Sequence, residues 1–235
     1  HGEIKAVVTD KGRFETDVVV GAGDYQHIEQ NLVPEKYRTY SKRYWDKRVM
    51  SPSSLIFYIG LDKKLAGFRH HTLLFDTNFD THAAEIYKNP RWPSDPALYV
   101  SVTSKTDPSV APEGKENLMV LIPVATGLKD TEEMREHYFD LVMKRLENIS
   151  EQKIREHVVY RRSYAHNDFI SDYHAYKGNA YGLANTLMQT AFLKPKMKSN
   201  KLRNLFFSGQ LTVPGPGIPP AIMSGRIAAE EILKL

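Results

Sequence analysis

The strongest constraint on the fold is a short apolar strand that leads through a glycine- and proline-rich turn into a helix of small residues. It occupies residues 205–232, with the sequence LFFSGQLTVPGPGIPPAIMSGRIAAEEI. Glycine lets the main chain approach another backbone or a ligand without a Cβ in the way. Proline is tolerated at a helix start, where the missing N–H groups cost least. The pattern therefore predicts strand, turn and helix, with the helix running from about Pro219 to Leu233.

The start of this helix is a candidate binding site. Its free N–H groups and the positive end of its dipole favour a phosphate, or negative charge that develops on a reduced flavin. We expect four N–H donors there: Gly217, Ile218, Ala221 and Ile222. The small side chains also predict a stripe that lies close to a backbone or a planar ligand: Ala221, Gly225, Ala228 and Ala229. Glycines that serve packing alone are the alternative, and the pattern leaves both open.

The two ends of the chain are similar in composition and differ from the segment between them. Two β-branched runs at 3–9 and 14–21 flank Asp10-Lys11-Gly12, which predicts a hairpin. Residues 53–60, 67–75, 98–103, 117–124 and 157–161 are predicted strands, and 131–149 a helix that begins with a capping box of Asp130 and Glu133. A shorter helix is predicted at 165–174. The ends are rich in glycine and small residues, which indicates one domain supplied by both ends and a second inserted between them.

Composition excludes several kinds of chemistry. The chain has 235 residues, a formal net charge of +4 and no cysteine, so disulfides, thiolate metal centres and a cysteine nucleophile are ruled out. The nine histidines form no HExxH motif, and we expect no metal site. The glycines at 21 and 23 do not form a dinucleotide fingerprint, because Gln26 stands where the third glycine is required.

Positive charge is concentrated in two runs, EKYRTYSKRYWDKR at 35–48 and KPKMKSNKLR at 194–203. Solvated faces of helices and loops are one interpretation. The other is a surface that meets anionic lipid headgroups, with Tyr37, Tyr40, Tyr44 and Trp45 at the interface. No nucleic-acid-binding motif accompanies these runs, so we expect no nucleic-acid partner.

Several segments together resemble the carotenoid desaturases, the flavoproteins similar to bacterial phytoene desaturase. The turn and helix at 205–232 look like the C-terminal flavin-binding signature of that family. GNAYGLANTLMQTAFLKP at 178–195 is similar to the segment just upstream, and FRHHTLLF and TDPSVAPEG to middle-domain signatures. TDVVVGAGDY at 16–25 resembles a strand that ends in a small-residue turn, with Ala22 where Asn is more usual. The matches follow the family's order over nearly the whole chain.

The resemblance implies a combined α/β and α+β fold, namely the C-terminal part of a glutathione-reductase-like FAD domain with an inserted mixed-sheet substrate domain. The implied parts are 1–45 and 176–235 for the FAD domain and 46–175 for the substrate domain. The family's strand–GxGxxG–helix unit is not found in this chain. We therefore expect the chain to be the C-terminal half of such an enzyme, with residues for adenine and pyrophosphate lying outside it.

The resemblance also implies cofactor-binding residues. Gly209 and Gln210 are expected beside the ribityl chain or phosphates of FAD, and related amine oxidases often carry an acid at the position of Gln210. Pro214 and Gly215 are expected to shape the turn over the ring. Gly217, Ile218 and Pro219 are expected at the pyrimidine edge of the flavin.

Desaturation removes a hydride and a proton from adjacent carbons, and the flavin accepts the hydride. His70 and His71 are candidates to line the substrate path or accept the proton; adjacent strand positions predict that they point to opposite faces. Tyr181 is a candidate near the flavin, and Asp24 either caps a helix or contacts the cofactor. Ordinary packing or solvent exposure is the alternative for each of these residues.

Three functions remain open at this point. The first is an FAD-dependent desaturase that introduces C=C bonds into phytoene or a later acyclic or hydroxylated carotene. The second is a carotenoid cis–trans isomerase of the same superfamily, and the third a non-catalytic carotenoid- or lipid-binding module. The expected location is the cytoplasmic face of a membrane, with peripheral attachment. The sequence leaves the oligomeric state open.

Overall fold

The structure, a computed structural model, describes residues 2–235 and divides the chain into two compact units. The first unit combines both ends of the chain, His1–Ser51 and Ile170–Leu235. The second is the continuous segment Pro52–Phe169. The molecule mixes parallel and antiparallel strands with helices, in agreement with the predicted α/β and α+β class at this coarse level.

Nine strands and six α-helices are found within residues 2–235. The strands are β1 (Ala6–Thr9), β2 (Gly12–Glu15), β3 (Val19–Gly21), β4 (Ser53–Leu61), β5 (His71–Leu74), β6 (Leu98–Ser101), β7 (Glu116–Val124), β8 (Val158–Tyr164) and β9 (Leu205–Phe207). The helices are α1 (Tyr25–His27), α2 (Lys42–Asp46), α3 (Phe79–Tyr87), α4 (Glu132–Ser150), α5 (His166–Tyr173) and α6 (Ile218–Ile232).

The second unit is a five-stranded antiparallel sheet of order β5-β6-β7-β4-β8 with α4 packed on one face. Alternate residues of β4 and β7 are fully buried, as expected where one face of an antiparallel sheet carries the core. The buried stripe of α4 completes this core with Tyr138, Phe139, Val142, Met143 and Leu146.

The predicted cap of α4 is wrong by one residue. Thr131 is the N-cap, and its hydroxyl accepts a hydrogen bond from the Met134 N–H at 3.3 Å. Asp130 instead accepts two hydrogen bonds from the Arg135 guanidinium, at 2.8 and 2.6 Å. A carboxylate gains more from a charged bidentate partner than from a helix N–H, which explains the shift.

The first unit is built from short strands. β1 and β2 form the predicted hairpin around Asp10-Lys11. The run at 14–21 is not one strand, however, because β2 ends at Glu15 and β3 pairs in parallel with β9. The core of this unit surrounds Trp45, Tyr25 and Phe207, with the rings of Tyr25 and Phe207 stacked 3.6 Å apart.

No helix within residues 2–235 is long and apolar enough to span a bilayer.

Candidate functional site

The carboxyl ends of the parallel strands β3 and β9 meet at one edge of the first unit. β3 is followed by Ala22-Gly23-Asp24, and β9 by Ser208-Gly209-Gln210. The Ser208 N–H donates to the Gly21 carbonyl at 3.1 Å, so the two loops start side by side. In open α/β sheets, ligands bind in the crevice beyond the carboxyl ends of the strands. This edge is the first candidate site.

A buried serine fixes the end of β9 to α6. The Gly209 N–H donates to Ser224 Oγ at 2.8 Å, and the Ser224 hydroxyl donates to the Ala221 carbonyl at 2.6 Å. Ser224 is completely buried, and Gly209 adopts φ +106°, a conformation that favours glycine. Sequence reasoning missed Ser224, although it lies four residues before the small Ala228 on the buried side of the helix.

A side-chain network links the other predicted residues at this edge. Asp24 accepts hydrogen bonds from the backbone of His27 at 2.9 Å and of Tyr176 at 3.0 Å, so it caps α1. Asn179 lies 3.5 Å from Asp24, and its carbonyl oxygen accepts from the Gln210 side chain at 3.0 Å. Burial raises the pKa of Asp24, and the backbone donors oppose that rise.

Tyr181 lies at the same edge, next to a glycine that cannot be replaced freely. Gly182 adopts φ +72°, and a Cβ on it would lie 2.8 Å from the Gln210 carbonyl oxygen. Its N–H donates to Asn179 Oδ1 at 2.9 Å. The Tyr181 side chain is 40% exposed. The close main-chain approach therefore brings Tyr181 and Gln210, two predicted site residues, to the same edge.

The turn before α6 exposes the main chain of glycines that adopt positive φ. Gly215 and Gly217 have φ values of +135° and +109°, and the bond between Val213 and Pro214 is cis. A Cβ on Gly217 would meet only Pro220, at 3.4 Å. Ile218 begins the helix with 79% of its surface exposed. The turn thus offers open, Cβ-free backbone, as the sequence predicts.

The expected set of N–H donors at α6 is wrong in part. The first three helical positions are Ile218, Pro219 and Pro220, and proline has no N–H. The Ala221 N–H already donates to the Gly217 carbonyl at 2.9 Å. Within the first turn, Ile218 alone carries an N–H that the helix itself does not use.

The packed stripe of α6 also differs from the predicted one. Ser224 and Ala228 are its buried residues, whereas a Cβ on Gly225 would meet no atom of the described chain within 4 Å. Of the four small residues predicted to pack, only Ala228 is buried.

The second candidate site is the open face of the sheet in the second unit. Its strands align a row of five residues, one from each strand: Leu73, Tyr99, Leu121, Ile56 and Tyr164. A neighbouring row contains His71, Ser101, Met119, Tyr58 and Arg162. With strands about 4.8 Å apart, the first row extends about 19 Å. The face is largely apolar and opposite to the one that α4 covers.

Two clefts border this face. One of about 310 Å³ lies between α3 and the sheet, and nearly all of its lining atoms are apolar; Leu73, Phe75, Phe79, Ile86 and Tyr99 are among its residues. The other, of about 440 Å³, includes Tyr58, Asn117, Met119 and Tyr160. Helix α3 was not predicted, because its region is flanked by proline- and aspartate-rich segments typical of loops. His82 on α3 is fully bonded, to the Pro123 carbonyl at 2.9 Å and the Ala97 N–H at 3.1 Å.

The two adjacent histidines do not point to opposite faces. Their ring centroids are 4.1 Å apart, because His70 precedes β5 and the strand alternation begins only at His71. His71 Nδ1 lies 2.7 Å from the Tyr99 hydroxyl on the open face, and His70 Nδ1 lies 2.6 Å from Thr106 Oγ1. Tyr99 was missed, although the alternation of β6 places it beside His71.

The aromatic residues of 35–48 do not form an exposed interface. Trp45 is completely buried, and Tyr37, Tyr40 and Tyr44 pack against the same core. Apart from Ser41, the exposed side chains of this segment are charged, and they include Lys36, Lys42, Arg43 and Lys47. The predicted aromatic contribution to lipid contact there is therefore wrong.

Known proteins are similar to this chain in sequence and in fold. The chain is 41% identical over 218 residues to a carotenoid 3,4-desaturase from Haloarcula japonica, covering 93% of this chain and 44% of the relative. It is 33% identical over 227 residues to a 4,4'-diapophytoene desaturase (4,4'-diaponeurosporene-forming) from Staphylococcus haemolyticus, covering 93% and 45%. The chain thus spans less than half the length of these curated relatives.

A solved oxidoreductase from Methanosarcina mazei shares the fold, with a TM-score of 0.58 at 15% identity, covering 98% of this chain and 46% of the other. The model of the flavin containing amine oxidoreductase family matches residues 1–233. The chain belongs to the flavin containing amine oxidoreductases.

Proposed function

We propose that this protein acts in FAD-dependent carotenoid desaturation, the introduction of C=C bonds into an acyclic or hydroxylated carotene. The observation that carries the proposal is the 41% identity to a carotenoid 3,4-desaturase over nearly the whole chain. We assign the first unit to the glutathione-reductase-like FAD domain and the second unit to substrate binding. The first candidate site offers polar main chain and the second an apolar face, as binding of a flavin and of a carotene requires.

The edge of β3 and β9 fits a flavin. Gly209, Gly215 and Gly217 present main chain without Cβ atoms, and Gln210 is held in place by Asn179. We assign Gly209 and Gln210 to the ribityl or phosphate side. Pro214 and Gly215 shape the turn, and the remaining residues, Gly217, Ile218 and Pro219, are assigned to the pyrimidine edge. Tyr181 borders this site. When bound, the flavin supplies hydride acceptance.

The open sheet face fits a long apolar substrate. An apolar row of about 19 Å accepts a polyene along its length without burying unpaired polar groups. We assign His71 as the proton acceptor of this face, because Tyr99 holds its ring through Nδ1 and leaves Nε2 as the second nitrogen. His70 is assigned to the positioning of its neighbour.

We also propose peripheral attachment to anionic membranes through the segment 187–203. Leu187, Met188 and Phe192 are 90%, 73% and 89% exposed, and the exposed cations Lys196, Lys198 and Lys201 follow them. Apolar side chains beside lysines are the combination that binds lipid interfaces. We expect anionic vesicles to bind the protein more weakly at high salt. Binding that is equal at low and high salt would exclude this attachment.

The function is tested by incubating the full-length protein, loaded with FAD, with acyclic carotenes. A desaturated product has two hydrogens fewer for each new double bond and absorbs at longer wavelength. A product of unchanged mass identifies the isomerase instead, and the absence of any product identifies a binding module.

The cofactor site has a separate test. We expect Gly217→Val to lose flavin, because a branched side chain is strained at φ +109°. Full flavin content in this variant would contradict the site assignment.

A further inference from the structure

One lysine of the basic run at 194–203 has a different environment from the others. Lys194 is only 4% exposed, whereas Lys196, Lys198 and Lys201 are exposed to solvent. Within residues 2–235, no hydrogen-bond partner reaches the Lys194 Nζ, which is itself buried. An unpaired buried charge is strongly unfavourable, and burial accordingly lowers the pKa of this lysine.

The buried ammonium lies next to the turn that precedes α6. The Nζ and Cε atoms of Lys194 are each 3.5 Å from the position that a Cβ would take on Gly215. Gly215 has φ +135° and no side chain, so the Lys194 ammonium lies against the bare main chain of the turn. The position of an otherwise unpaired cation at this turn indicates an anionic ligand.

We propose that Lys194 is the counter-ion of the flavin cofactor bound at the turn 214–217. The inference rests on the function proposed above and adds a charge-compensating residue to its cofactor site. The negative charge is either that of the reduced flavin ring or that of a cofactor phosphate. Either negative charge pairs with the buried Lys194 ammonium. The two cases differ in which property of the bound flavin changes when the lysine is replaced.

The test compares the full-length protein with three variants: Lys194→Met, Lys194→Arg and the exposed control Lys11→Met on the hairpin of the same unit. We expect Lys194→Met to bind FAD about tenfold more weakly, the loss typical of one charge-assisted contact. If Lys194 balances the negative charge of the reduced ring, its replacement by Met should also make the flavin midpoint potential more negative. If it balances a phosphate, the midpoint potential should not change. Lys194→Arg is expected to retain most of the FAD affinity, and Lys11→Met all of it.

Unfolding of the flavin-free protein separates a ligand-binding lysine from a structural one. Removal of an unpaired buried charge is expected to raise the melting temperature of the apoprotein in Lys194→Met, even as FAD binding weakens. A lower apoprotein melting temperature would assign Lys194 a structural role and overturn the inference. Unchanged FAD affinity and midpoint potential in Lys194→Met, beside a wild type that binds FAD, would also overturn the inference, and the proposed function would then stand. A wild-type protein that never binds FAD would overturn both.

Discussion

The two units hold their candidate sites in contrasting ways. In the first unit, short strands and loops are tied together by side chains that bond to backbone, such as Ser224, Asn179 and Asp24. In the second, one helix covers one face of a regular sheet and leaves the other face for the site. A loop-built site can adapt its backbone to a polar cofactor, whereas a sheet face offers a regular apolar surface. The contrast predicts different responses to substitution.

The largest expected effect is on a buried carboxylate of the second unit. Glu116 accepts hydrogen bonds from Ser104 Oγ at 2.6 Å and the Leu65 N–H at 2.9 Å, and pairs with Lys105 at 2.6 Å. Burial raises the pKa of Glu116, but these partners outweigh it and hold the pKa at about 2. Glu116→Gln should therefore lower the free energy of unfolding by about 3 kcal/mol at pH 7, measured by urea titration.

The pH dependence of this effect follows from the direction of the shift. A depressed carboxylate pKa stabilises the folded state fully above about pH 4.5, and the contribution is lost as the pH falls toward about 2. The difference between wild type and Glu116→Gln should shrink over that range. The exposed Glu113→Gln serves as the control. A difference that stays constant from pH 7 to pH 2 would contradict the assigned role.

The second prediction compares matched glycines in the two units. Gly182 and Gly67 have nearly equal φ values, +72° and +79°, but only Gly182 would place a Cβ against backbone, 2.8 Å from the Gln210 carbonyl. Gly67→Ala should cost about 1 kcal/mol from backbone strain alone, and Gly182→Ala about 1–2 kcal/mol more from the clash. Equal losses of unfolding free energy in the two variants would show that the loops of the first unit move enough to relieve the clash with Gln210.

The third prediction concerns the loop network of the first unit. Asn179→Ala removes the acceptor of Gly182 and Gln210, and should lower the free energy of unfolding by about 1–2 kcal/mol. It should also weaken flavin binding, because the side chain of Gln210 loses its partner. Asn185→Ala, an exposed change in the same segment, is the control. If both variants bind flavin like the wild type, the network has no part in the cofactor site.

The smallest expected effect on stability is at the open sheet face. Tyr99→Phe removes only the hydroxyl beside His71 Nδ1, and should change the free energy of unfolding by less than about 1 kcal/mol. We expect the rate of the proposed desaturation to fall, because the His71 ring loses the hydroxyl that holds it. A lowered stability with an unchanged rate would assign the pair a structural role only.

Local signals in the sequence predict much of the fold. The hairpin at Asp10-Lys11, the strands β4 and β7 and the helices α4 and α6 follow from turn residues and periodicity, which act over a few residues. The cap of α4 was displaced because Arg135, five residues later in the chain, binds the Asp130 carboxylate. The prediction that His70 and His71 point to opposite faces failed because β5 begins at His71, whereas the predicted strand began at residue 67.

The candidate site depended on contacts that no local pattern reveals. Lys194 looks like one more solvated lysine in a basic run, and its burial is set by residues about twenty positions away. Asn179 contacts Asp24 across 155 positions of the chain, and its neighbours in sequence give no sign of it. Ser224 alone had a local signal, its four-residue spacing from Ala228.

The strand order of the second unit gives each segment a separate position along the proposed substrate. Leu73, Tyr99, Leu121, Ile56 and Tyr164 come from five strands in an order that differs from the chain order. Each step across the row moves about 4.8 Å, close to the length of two repeats of a conjugated chain. Selectivity for the length or the end group of a polyene can therefore change by substitution on a single strand, while the face covered by α4 keeps the sheet intact.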